Sequence, residues 1–151
     1  MIKIITNQGR LTDSDGNEVP DIRLFQQKVE QILDMLDVPL TIYAACANDN
    51  WRKPRTDIWK LLVQESQQKG QEINENNSYL VGDAAGRASD HTDADLHYSM
   101  NIGIRFHTPE EFFLNITGEI TGHKFDPAWF LENQSGWAGI FNDCWPKFSG
   151  R

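Results

Sequence analysis

The chain has 151 residues, is 39% hydrophobic and 11% aromatic, and carries a formal net charge of -8. That length makes one domain the default and allows a core without covalent staples, and the composition excludes a disordered chain. The acidic balance (pI near 4.9) excludes broad, nonspecific nucleic-acid binding, which needs a positive surface, but leaves room for a local basic strip.

Cys46 and Cys144 are too few for a disulfide framework. No signal peptide or spanning segment is recognisable, so an intracellular location without membrane partners is expected. Met1-Ile2-Lys3-Ile4-Ile5 reads as a core strand, because β-branched apolar residues favour extended chain, and it ends at Thr6-Asn7-Gln8-Gly9. The polar stretch from Gly9 to Pro20 holds Asp13-Ser14-Asp15-Gly16-Asn17. It lacks the glutamate that closes a twelve-residue Ca²⁺ loop and reads as a solvated loop. Leu24 or Phe25, Val29, Ile32, Leu33 and Leu36 recur at helical spacing, with Asp21 as a cap.

Val38 to Cys46 is nearly all apolar, as expected of a strand covered on both faces. A loop with Trp51-Arg52-Lys53-Pro54 follows, then a helix from about Thr56 with Ile58, Trp59, Leu62 and Val63 on its buried side. Ser78 to Val81 is a third strand, running into Gly82-Asp83-Ala84-Ala85-Gly86-Arg87 and Asp90. Thr92 or Asp93 opens a short helix through Leu96 and Met100, and Asn101 to Phe106 reads as a fourth strand. Thr108-Pro109-Glu110-Glu111 is a helix start: a capping threonine, proline in the first turn and glutamate three residues on. From about Thr117 the chain is aromatic and loses regular period.

Strand and helix thus alternate, which predicts a parallel sheet with helices on both faces. The carboxyl ends of parallel strands meet at one edge, where ligands of open α/β sheets bind. Thr6, Lys53, Asp83 and Asp90 each follow a strand. A hydroxyl can hold phosphate oxygens, a lysine neutralises phosphate charge, and an acid pair can hold Mg²⁺. Each has a bland alternative: Thr6 a strand-end cap, Lys53 a solvated lysine, and Asp90, Asp93 and Asp95 a solvated acidic face.

Several strings resemble one family. Ile5-Thr6-Asn7-Gln8, Arg52-Lys53-Pro54 with Trp59, Gly82-Asp83-Ala84-Ala85-Gly86-Arg87, Asn101-Ile102-Gly103-Ile104 with Phe106, and Thr108-Pro109-Glu110-Glu111-Phe112-Phe113 are similar to the phosphatase domain of polynucleotide kinase 3′-phosphatases. These belong to the haloacid dehalogenase (HAD) superfamily. The resemblance covers residues 1-114, with 115-151 left as an aromatic-rich C-terminal extension. His123-Lys124-Phe125-Asp126-Pro127 resembles the stretch that follows the domain in fungal members.

The resemblance implies a Rossmann-like HAD fold and Mg²⁺-dependent removal of 3′-phosphates from DNA ends in strand-break repair. It implies a nuclear location and other repair proteins as partners. Thr6, Lys53 and Asp83 would be catalytic; Thr6, Asn7 and Lys53 would bind phosphate; Asp83 and Asp90 would hold the metal. Arg87 would order the loop or contact DNA. The family's first motif, an Asp-x-Asp whose first carboxylate is the nucleophile, does not precede Thr6. Asp13-Ser14-Asp15 and Asp93-Ala94-Asp95 have the spacing but stand elsewhere. Without that carboxylate the covalent route is closed, so an N-terminally truncated domain, inactive alone, is expected. Asp57 is a further departure, an acid near Lys53 that either weakens phosphate binding or caps its helix. No Gly-x-x-x-x-Gly-Lys-Ser/Thr string occurs, so no kinase half is expected. The alternatives are an inactive module that binds phosphate or DNA ends, and a HAD phosphatase for a small phosphate ester.

Overall fold

The computed structural model describes residues 2-36 and 38-118. These lie in a compact unit, Met1–Ile120; a second unit, Thr121–Arg151, lies outside the described residues. The aromatic tail, the 123-127 stretch and Cys144 fall there.

The elements run in alternation. They are β1 (Ile2–Asn7), α1 (Asp21–Leu36), β2 (Leu40–Ala45), α2 (Asp57–Gln68), β3 (Tyr79–Val81), α3 (Ala94–Ile102), β4 (Arg105–His107) and α4 (Pro109–Leu114). A single 3₁₀ turn, Glu75–Asn77, precedes β3. Among the described residues the strands form two parallel pairs, β1 with β2 and β3 with β4, in place of one continuous sheet. The expected mixture of parallel strands and helices is present.

Among the described residues each strand has one edge with no strand beside it. The Gln8 N–H donates to the Ala45 carbonyl at 2.7 Å. Peptide groups alternate along a strand, so Ile4 and Thr6 also face β2, while Lys3, Ile5 and Asn7 face the opposite edge. In the other pair the Gly82 N–H donates to the His107 carbonyl at 3.1 Å, which turns Tyr79 and Val81 away from β4. The open edges explain a difference from expectation. Ile4 and Ile5 are half-buried, not core, and of β2 only Ala45 is buried.

The core is correspondingly local. Ala45, Ile58 and Leu62 are buried together, with Ile5, Tyr43, Trp59 and Ile73 packed against them. Helix α2 therefore covers the β1–β2 pair through Ile58, Trp59 and Leu62, as its period predicts. Burying side chains of that size contributes roughly 1.5–3 kcal/mol each. On the other side, α3 carries buried Ala94, Asp95, Tyr98 and Ser99. Its first turn hangs on the loop after β3, because the Asp95 and Leu96 N–H groups both donate to the Ala84 carbonyl.

Helix α3 runs through Ile102, so Asn101 and Ile102 are helical and β4 starts later than expected. Gly103 adopts φ 78° and closes the helix, its N–H bonded to Ser99 and Met100 carbonyls; a left-handed residue at that position favours glycine. The α4 start matches its sequence signature. Thr108 accepts from the Glu111 N–H and Glu111 reaches back to the Thr108 N–H.

Candidate functional site

Lys53 lies at the centre of the strand tips. Asn7, the last residue of β1, grips its main chain from both sides. The Asn7 Nδ2 donates to the Lys53 carbonyl at 3.0 Å, and the Lys53 N–H donates to Asn7 Oδ1 at 2.9 Å. The side chain then turns inward. Its Nζ donates to the Ile5 carbonyl at 2.7 Å, on the open edge of β1. The same Nζ pairs with Asp95 Oδ1 at 2.6 Å, and both side chains are about nine-tenths buried (10% and 8% exposed). Lys53 is therefore not a solvated loop lysine.

Asp95 belongs to the other half of the molecule. Its second oxygen accepts from the Ala84 N–H at 3.2 Å. The carboxylate lies against Gly82, where a Cβ would come within 2.5 Å of Oδ2 and 2.7 Å of Cγ. Gly82 is thus required by close approach. Through Lys53 and Asp95 the open edge of β1 is tied to the tip of β3. A second link joins the same parts, from Asn101 Nδ2 of α3 to the Pro54 carbonyl at 3.0 Å.

Thr6 sits one residue before the Asn7 grip, its Oγ1 accepting from Gln8 Nε2 at 2.9 Å. That leaves the hydroxyl proton available to an anion. Asn7, expected to bind phosphate, has both ends of its amide engaged by Lys53, which makes it a residue that positions the ammonium.

Asp83 occupies the β3 tip. Its carboxylate is exposed and makes no hydrogen bond or ion pair among the described residues. Asp90 has a different occupation. Its Oδ2 accepts from the Ala85 and Arg87 N–H groups at 3.0 and 3.1 Å and from Arg87 Nε at 2.9 Å. The Arg87 side chain, helped by those N–H groups, holds the Asp90 carboxyl below the usual carboxylate range. Asp90 therefore orders the loop that carries Asp83. Arg87 completes that loop by donating from Nη1 to Glu110 of α4 at 2.9 Å and from Nη2 to the Asp83 carbonyl at 3.2 Å. Asp90 and Glu110 together hold its guanidinium more firmly protonated than usual.

Among the described residues, no three His, Cys, Asp or Glu side chains gather as a metal centre. The free carboxylate of Asp83 is a hard oxygen donor, and such a donor suits Mg²⁺, which commonly takes one or two protein carboxylates and completes its shell with phosphate oxygens and water. The other Asp-x-Asp spacings are committed elsewhere. Asp13 Oδ1 accepts the Asp15 and Asn17 N–H groups, and Asp93 pairs with His97 at 3.3 Å. Asp57 pairs with Lys60 at 2.6 Å in the first turn of α2.

Asp95 is buried against Lys53 and Gly82 and does not belong to a solvated acidic face. The available signal was its place in the first turn of a helix directly behind the Gly82-Asp83 tip.

Residues 1-113 match the model of a family described as polynucleotide kinase 3 phosphatase. A bifunctional polynucleotide phosphatase/kinase of Schizosaccharomyces pombe is 42% identical over 106 residues, covering 70% of this chain and 24% of that protein. The polynucleotide 3′-phosphatase ZDP of Arabidopsis thaliana is 33% identical over 97 residues, covering 58% of this chain and 14% of that protein. The chain thus spans a quarter or less of these relatives' length.

Proposed function

The chain belongs to the polynucleotide kinase 3 phosphatase family, and from that premise we propose that it recognises the 3′-phosphate of a DNA end as a HAD-type phosphatase domain. The observation that carries this reading is the buried Lys53–Asp95 pair, which ties the β2–α2 loop to Gly82 and Ala84 on either side of the exposed Asp83.

In this reading the terminal phosphate enters between the β1 and β3 tips. Thr6 donates its hydroxyl to one phosphate oxygen. The Lys53 ammonium donates one N–H to the Ile5 carbonyl and one to Asp95, and its third N–H donates to a phosphate oxygen without having to be ordered first. Asp83 would hold Mg²⁺, which would neutralise a phosphate oxygen when bound. Asn7, Asp90 and Arg87 fix the groups that touch the ligand.

Hydrolysis in the HAD manner needs a carboxylate nucleophile. No described carboxylate is both free and paired with a second acid at the β1 tip. We therefore assign to these residues binding of the 3′-phosphate without turnover on their own. Strand-break repair is the setting in which such an end would be met, with a nuclear location and repair proteins as partners.

The test compares binding of a 3′-phosphorylated oligodeoxynucleotide with its 3′-hydroxyl twin, with and without Mg²⁺. Preference for the phosphate, lost in Lys53→Ala, supports the reading, and equal binding of the two ends overturns it. Mg²⁺-dependent release of phosphate by this chain, abolished by Asp83→Ala, would overturn the assignment of binding without turnover.

A further inference from the structure

Trp51 is 44% exposed, although its indole is the largest apolar surface of the β2–α2 loop. The loop is well tied around it. The Trp51 N–H donates to Asp49 Oδ1 at 3.0 Å and the Arg52 N–H to the Asp49 carbonyl at 3.2 Å. Arg55 Nη1 reaches Asn48 Oδ1 at 3.2 Å and the Asp49 carbonyl at 2.8 Å. On the far side, Asn7 grips Lys53. An exposed ring on a loop fixed at both ends is preorganised for a ligand. No aromatic ring or cation stacks on it among the described residues.

Arg52 adds a second observation. Its guanidinium rests on the loop after β1, where a Cβ on Gly9 would lie 2.9 Å from Nη1. It is half-buried, yet it makes no hydrogen bond or ion pair among the described residues. Arg55, Arg87 and Arg105 are all engaged. An unpaired guanidinium held at a strand tip, in a chain of net charge -8, is available to an anion.

We propose that Trp51 is the stacking platform for the base of the nucleotide whose phosphate meets Lys53, with Arg52 beside it for the neighbouring phosphodiester; this rests on the reading of the site as one for a DNA 3′-phosphate. Trp51 stands two residues before Lys53, within about 7 Å along the chain, on the scale of one nucleotide. Stacking on an aromatic ring is indifferent to base identity, as recognition of ends of any sequence requires. It also demands an unpaired base, so the favoured ligand is a single-stranded or frayed 3′ end.

The experiment measures binding of a single-stranded 3′-phosphorylated oligonucleotide and of the same strand with an abasic terminal nucleotide. Trp51→Ala should weaken the first about tenfold and leave the second unchanged, and Trp51→Phe should restore most of the loss. Equal loss on both strands, or no loss on the base-bearing one, overturns the proposal. Wild-type preference for phosphate over hydroxyl with an indifferent Trp51→Ala sinks the stacking role alone. A wild type blind to the phosphate sinks the site reading, and this proposal with it.

Discussion

At the tip of β1 an amide holds a cation in place, and at the tip of β3 a guanidinium holds a loop so that an anion stays clear. The two tips divide labour in the same way. Asn7 and Asp90 use their polar atoms on neighbouring backbone, while the Asp83 carboxylate has no partner among the described residues and the Thr6 oxygen accepts only from Gln8. The tips differ in what anchors them. The β1 side is fixed by a buried ion pair reaching across to α3, whereas the β3 side is fixed by an Arg87 network in partial contact with solvent. Damage to the first should therefore be felt globally, and damage to the second locally.

The largest test of that contrast is Asp95→Ala. It leaves the Lys53 ammonium buried without its partner, which costs on the order of 3–5 kcal/mol, read as a lowered denaturant midpoint. An unchanged midpoint would mean that the two tips are not joined through this pair. Gly82→Ala comes next. Its methyl would displace Asp95, and overpacking of this kind costs about 1–3 kcal/mol. Lys53 should then lose phosphate affinity while secondary structure by circular dichroism persists. Asn7→Ala removes two hydrogen bonds to the Lys53 main chain, a loss of about 1–2 kcal/mol. Its phosphate affinity should fall without any change at the Asp83 loop; resonances of that loop that shift would blur the distinction.

The smallest effect is a pH response of the Arg87 network. The folded pKa of Asp90 lies below its ordinary 3.8. Its contribution is therefore complete above that value and is lost as pH falls through the lower, folded pKa. Amide resonances of Ala85 and Arg87 should hold steady down to about pH 4 and move only below it. A midpoint above 3.8 would show that Arg87 does not hold the carboxylate in its charged form.

Local signals were legible where a few neighbouring residues decide the outcome. Thr108-Pro109-Glu110-Glu111 forms the capping box its spacing implies, and the α2 period put Ile58 and Leu62 inward. Alternating Ile102 and Ile104 imitates a strand, but a left-handed Gly103 ends a helix there. The period of α1 predicts an apolar face, yet none of its described residues is buried; a pattern states what a helix can cover, not what lies opposite. The positions of Lys53 in the loop after β2 and of Asp83 just past β3 were legible from the strands that precede them, whereas Thr6 lies within β1 itself. Asp95 was not, because its role depends on a contact across 42 residues (95 − 53) that spacing alone does not report.

The Lys53–Asp95 pair also sets the electrostatic balance of the strand tips. Asp95 already cancels the charge of Lys53, so these two and Asp83 together carry one net negative charge. A phosphate arriving alone meets the Asp83 carboxylate with only the Arg52 guanidinium to offset it, and a divalent cation arriving alone lacks the oxygens that complete its shell. Each should therefore bind more tightly once the other is present, by the same factor in both directions. Cooperativity between two ligands that need not touch Lys53 equally follows from one lysine being neutralised in advance.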